Sequence, residues 1–189
     1  MKDQIIRIIE YDHWANAKVI ASMSQVKDPP DRALELLSHI LAVSSIWLRR
    51  ARQEAEVTKR FDRYTLEECA NRNDALLSDW TQFTRGLPDL NAIMKFQLLG
   101  RSSQMKVVDC VHHVGMHGTY HRGQIVALLK DHLNDLPATD FVLLPWRIRV
   151  CKLPGVPKLI LDHDLRKRNV AVFNNCFLVI VFINRYRGE

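Results

Sequence analysis

Histidines stand at positions 113, 117 and 121, inside the run His112-His113-Val114-Gly115-Met116-His117-Gly118-Thr119-Tyr120-His121. At about 100° per residue, a helical step of four returns to nearly the same face. The three imidazoles therefore climb one stripe over two turns. With eight histidines in 189 residues, chance gives such a triple in roughly one chain in a hundred. Two imidazoles one turn apart can grip a small cation from one side. The plainer alternative is a helix with several half-buried histidines. Both readings demand a long helix at 104–133 with other elements packed around it.

The rest of the chain offers partners of the same kind. Residues 3–24 carry Ile5, Ile6, Ile9, His13, Ala17 and Ile20 on one broad helical face. Asp28-Pro29-Pro30 stops that helix, and Asp31 can start the next. Over 31–56, Leu36, His39, Ile40, Val43 and Trp47 share a stripe, with Glu35, Ser38, Ser45, Arg49 and Arg52 on the other side. His39 is thus a polar ring on an apolar face and needs a partner, either a carbonyl or a metal. Thr65-Leu66-Glu67-Glu68 is a capping box opening a third helix over 65–85, which Gly86-Leu87-Pro88 ends. Residues 89–104 alternate partly and then reach Gly100, which reads as an extended or short β excursion. In the fourth helix Gly115, Gly118 and Gly123 each cost about 1 kcal/mol against alanine, which points to close approach by another helix or a ligand. Asn134 and Pro137 end it.

Charge divides the chain. Residues 146–189 hold nine basic and three acidic side chains, so the whole net charge of +6 sits there and residues 1–145 are neutral. That places one helical domain over 1–145 and a basic, β-prone extension over 146–189, with a hairpin signal at Asn174-Asn175. Asp162-His163-Asp164 reads as a solvated turn. A neutral body argues against nucleic acid as a partner. No run approaches the ~18 apolar residues of a membrane helix. The polar start, Met-Lys-Asp-Gln, lacks a signal peptide's apolar region. Four scattered cysteines without a CxxC fit reduced thiols and a cytoplasmic location.

Tyr11-Asp12-His13-Trp14-Ala15-Asn16, Ser38-His39-Ile40 with Trp47, Gly100, and the block His117-Gly118-Thr119-Tyr120-His121-Arg122-Gly123-Gln124-Ile125 resemble the DinB-like (DNA-damage-inducible) family. Leu136 through Phe141 resembles the segment after that family's last bundle helix. The resemblance spans roughly 1–142, and the 146–189 tail departs from it. It implies an all-α fold, an antiparallel four-helix bundle with a long crossover, often as a homodimer. It also implies a divalent metal, zinc or nickel, on three histidines that map to His39, His117 and His121, with His113 as a neighbour. Activities in related groups are transfers to low-molecular-weight thiols and thiol-dependent isomerisation.

Three neutral imidazoles leave a divalent ion with an open position, the catalytic rather than the structural pattern. There is no HExxH, no GxxxxGK[ST] and no GxGxxG, so zincin-like hydrolysis and nucleotide chemistry lack support. The expected function is metal-dependent transfer of a small electrophilic substrate to a low-molecular-weight thiol cosubstrate. The alternative is a non-catalytic, metal-binding stress-response bundle. His13, Asn16, His113 and Tyr120 are the polar groups expected to orient a cosubstrate. The catalytic residues themselves are not fixed by the sequence. Surplus apolar or small positions (Ile5, Ile6, Ile8 and Ile9; Gly115, Gly118 and Gly123) favour a symmetric dimer.

Overall fold

The computed structural model of the chain describes residues 1–55 and 57–144. The expectations for 146–189 lie outside the described residues. Four helices dominate: α1 (Lys2–Met23), α2 (Asp31–Arg52), α3 (Leu66–Gly86) and α4 (Val107–Leu129). A hairpin of β1 (Ile93–Leu98) and β2 (Arg101–Lys106) joins α3 to α4, and a 3-10 turn follows at Phe141–Leu143. Among the described residues no helix is long and apolar enough to cross a membrane.

Side-chain pairs give the helix directions. Lys2 reaches Arg85, and Asn16 reaches Asn73, so α1 and α3 are antiparallel neighbours. His39 meets His121, and Trp47 meets His113, so α2 and α4 are antiparallel too. Tyr11 pairs with Thr119 and Asn16 with Arg122, and Ser38 pairs with Cys69 and Ser44 with Trp80. Hence α1 runs parallel to α4, and α2 to α3. An up-down-down-up order requires the 53–65 connection to travel back along the bundle. Each helix is about 33 Å long at 1.5 Å per residue, and a connection of that length can span about 40 Å. This crossover passes over the middle of α2, where His39 stands.

Local signals set the boundaries. Thr65 Oγ1 accepts from the Glu68 N–H at 3.1 Å, and the Thr65 N–H donates to Glu68 Oε2 at 2.7 Å, completing the capping box. Such a cap contributes about 1 kcal/mol. In the hairpin, Leu99 (φ 52°) and Gly100 (φ 76°) form a two-residue turn with both residues left-handed. Ile93 pairs with Lys106, and Leu98 with Arg101. Because β2 occupies 101–106, α4 starts at Val107 rather than 104. Its first amides are satisfied by the Ala92 and Leu90 carbonyls. α4 ends at Leu129 instead of running to 133. The amides of His132 and Leu133 both turn back to the Leu129 carbonyl.

Two apolar clusters fill the bundle. One packs Ile5, Ile9, Trp47, Trp80, Phe96 and Val111 at the hairpin end. The other packs Val19, Met23, Leu37, Leu41, Ile125 and Leu129 at the opposite end. Burial corrects several expected faces. Ser38, expected to point outward, is fully buried and its Oγ accepts from the Tyr64 N–H at 3.2 Å. Ala17 is exposed, and the inner face of α1 turns instead through Asp12, Ala15, Asn16 and Val19. Ile5, Ile6 and Ile9 are buried within this chain, so they are not the surplus surface on which a dimer was argued.

The glycines of α4 also divide. A Cβ on Gly115 would come within 2.8 Å of Ile8 Cγ2, and one on Gly118 would overlap the Asp12 carboxylate and the Arg122 guanidinium. These two glycines let α1 approach. Gly123, expected to share that role, faces open space with nothing within 4 Å. Gly123→Ala should therefore gain about 0.5–1 kcal/mol from helix propensity, and Gly118→Ala should lose more than that. Urea denaturation of both variants checks this; equal shifts in the same direction would contradict it.

Candidate metal centre

Two antiparallel helices bring three histidines together. His39 comes from the middle of α2, and His117 and His121 from successive turns of α4. One ring nitrogen from each lies within 4.8 Å of the others. Ring centroids are 5.0 Å apart for His39–His117, 4.9 Å for His39–His121 and 4.6 Å for His117–His121. Nitrogens around a tetrahedral ion with ~2.1 Å bonds stand about 3.4 Å apart, so small side-chain adjustments bring this trio to ligand spacing. Among the described residues no other group of His, Cys, Asp or Glu gathers in this way.

The stripe read from the sequence is thus split. His117 and His121 meet His39. His113 sits one turn back, its ring 5.9 Å from that of His117 and edge-on to Trp47 at 5.0 Å. Tyr120 is exposed and rests edge-on against His121 at 5.0 Å. His13 and Asn16 point elsewhere. His13 Nε2 lies 2.7 Å from Asp74 Oδ1 on α3. Asn16 is buried, donates to Asn73 Oδ1 at 3.1 Å and accepts from Arg122 at 2.8 Å. Neither lies among the three clustered histidines.

Electrostatics favour neutral imidazoles. Burial, reinforced by His121, His39 and His113 and by Arg60, pushes the His117 pKa down to about 3. Burial also lowers His39, opposed by its hydrogen bond to Arg60. Neutral rings offer the lone pairs that a cation needs. Burial pushes the thiol of Cys69 up to about 11 and that of Cys110 up to about 12. Both stay protonated and inert, so neither supplies a thiolate to the cluster.

A cleft of about 420 Å³ opens onto His39 and His121, walled by Arg32, Glu35, Phe61 and Arg63. Phe61 comes from the crossover and stacks on His39, with ring centroids 5.1 Å apart and planes 10° apart. Glu35 bridges Arg32 at 3.1 Å and also contacts Arg63. The cleft is large enough for a small organic molecule.

Beside the histidines lies a buried polar layer that the sequence did not reveal. It separates the two apolar clusters. Arg122, fully buried on α4, donates from Nη1 to Asp12 Oδ1 at 2.5 Å and to Asn16 Oδ1 at 2.8 Å, and from Nη2 to Thr119 Oγ1 at 3.1 Å. Asn73 donates to the His13 carbonyl at 3.0 Å. Burial raises the Asp12 pKa, and the Arg122 guanidinium opposes that shift. Tyr11 donates to the Thr139 carbonyl at 2.8 Å, tying the segment after α4 to this layer. Also missed were the groups holding the histidine rings, Gln124 and the Arg60 carbonyl. A glutamine three residues after a histidine on one helix was the signal available for the first.

The model of the DinB family matches residues 5–149, well over half the chain. No curated protein matches the chain.

Proposed function

The chain belongs to the DinB family, and from that premise we propose that it holds one divalent ion, zinc or nickel, on His39, His117 and His121. We further propose that it uses the adjoining cleft to transfer an electrophilic group to a low-molecular-weight thiol. The observation that carries this reading is the convergence of three ring nitrogens within 4.8 Å beside an open cleft. When bound on three neutral imidazoles with a position open, such an ion lowers the pKa of a small thiol or water toward neutrality.

The chain's own residues do the rest. Phe61 gives the cleft an apolar wall beside His39. Arg32 and Arg63 share one carboxylate, Glu35, and give the rim polar contacts for a cosubstrate. Among the described residues the two cysteines, Cys69 and Cys110, are buried and protonated, and this reading assigns the reacting sulfur to the cosubstrate. That sulfur bonds to the electrophilic carbon, the leaving group departs with its electron pair, and the thiol proton is released.

A second reading is a metal-holding bundle without turnover. It is favoured by the engagement of both carboxylates that line the cleft: Glu35 pairs with two arginines, and Asp62 accepts from the Lys59 N–H. Kinetics separate the two. Metal-loaded protein is incubated with a model electrophile and a panel of glutathione-, bacillithiol- and mycothiol-type thiols. At least one thiol should react faster than with the metal-free or His117→Ala protein. Rates equal to those controls for every thiol would reject the transferase and leave the metal site alone.

A further inference from the structure

Two of the three clustered histidines have their Nδ1 atoms occupied. His39 Nδ1 lies 2.9 Å from the Arg60 carbonyl oxygen on the crossover. His121 Nδ1 lies 2.8 Å from Gln124 Oε1, one turn further along α4. A carbonyl oxygen only accepts, so each Nδ1 carries the proton and each Nε2 is left with the lone pair.

We infer that Gln124 is a positioning residue that fixes the tautomer and ring orientation of His121, and that the Arg60 carbonyl does the same for His39. Two different elements thereby aim the two Nε2 atoms at one point. α4 carries its own orienting group, because residues three apart share a helical face. The crossover supplies the other, with Phe61 stacked on the same ring that Arg60 holds. The backbone carbonyl at residue 60 gives its acceptor whatever side chain stands there. Gln124 is the partner open to substitution. Acceptors that orient a ligating histidine typically affect metal affinity by roughly 10–100-fold. This role rests on the metal reading above, but the tautomer it requires exists without metal.

The experiment therefore has two arms, run on the full chain and on Gln124→Glu, Gln124→Met and Gln124→Ala. Glutamate keeps an acceptor, methionine keeps the volume without one, and alanine keeps helix propensity if methionine disturbs folding. In the first arm, long-range ¹H–¹⁵N NMR of the metal-free protein, well above the histidine pKa, reads the His121 tautomer. Wild type and Gln124→Glu should show Nδ1–H, and the other two should lose that preference. In the second arm, chelator competition reads zinc affinity. Methionine and alanine should weaken it roughly 10–100-fold, with glutamate restoring it. An Nε2–H tautomer in the wild type, or one unchanged in Gln124→Met and Gln124→Ala, overturns the proposal. So does a lost tautomer with unchanged zinc affinity. A wild type that binds neither zinc nor nickel but shows the expected tautomers rejects the metal reading and leaves the orienting contact standing.

Discussion

Replacing Arg122 with alanine is expected to cost about 3–5 kcal/mol, the range for removing one partner of a buried ion pair. The guanidinium is fully buried, and three acceptors depend on it: Asp12, Asn16 and Thr119. Its loss leaves the Asp12 carboxylate between two apolar clusters without its cation. Asn16, itself only 1% exposed, keeps its donors but loses the donor to its own carbonyl oxygen. A domain of this size has only about 5–15 kcal/mol of stability, so a melting point lower by roughly 10 °C or more should follow. Removing both charges in Asp12→Leu/Arg122→Met should be far milder than the single change, since a packed apolar pair often substitutes for a buried ion pair. Thermal and urea denaturation read both variants. A single variant within about 1 kcal/mol of wild type would mean that water already shares the layer.

The other large effect falls on the site. Alanine at 117 should weaken metal binding by well over 100-fold, beyond the range seen for groups that merely orient ligands. His117 neighbours both other rings, its centroid 5.0 Å from that of His39 and 4.6 Å from that of His121. Without it, two imidazoles on different helices remain, too few for a stable site. The fold should survive, because His117 is half-buried at the edge of the bundle rather than within either apolar cluster. Alanine at 113 should weaken binding much less, since that ring packs on Trp47. Chelator competition on both variants, with circular dichroism as the folding control, makes the comparison.

What the sequence could and could not convey follows from range. The start of α3 was legible because capping is local, with Thr65 and Glu68 within one turn; α2 does begin at Asp31 behind two prolines, but Pro30 is its N-cap and no side chain caps it. A short β excursion was legible from Gly100 and the alternation that buries Met94 and Phe96, but its second strand was not, because residues 104–106 read as the start of the fourth helix. The end of α4 was not legible either, because Leu133 continues the apolar pattern of Leu128 beyond the helix end at Leu129. Buried polar groups were harder still. Ser38, Asp12 and Arg122 look like surface residues until their partners are known, and Asp12 and Arg122 lie 110 positions apart. The same distance problem hid the histidine partner: spacing exposed the α4 stripe but did not say which two of its three rings would meet α2. Family resemblance supplied His39, His117 and His121, and those are the three rings that the packing of α2 against α4 gathers.

Elemental analysis of the purified chain, with alanine variants at 39, 113, 117 and 121, tests the central claim most directly. Wild type and His113→Ala should each carry about one zinc or nickel per chain, and the other three variants should carry almost none. Loss of the metal in His113→Ala with retention in His121→Ala would contradict the account, because the ion would then sit one turn lower on α4, away from the cleft.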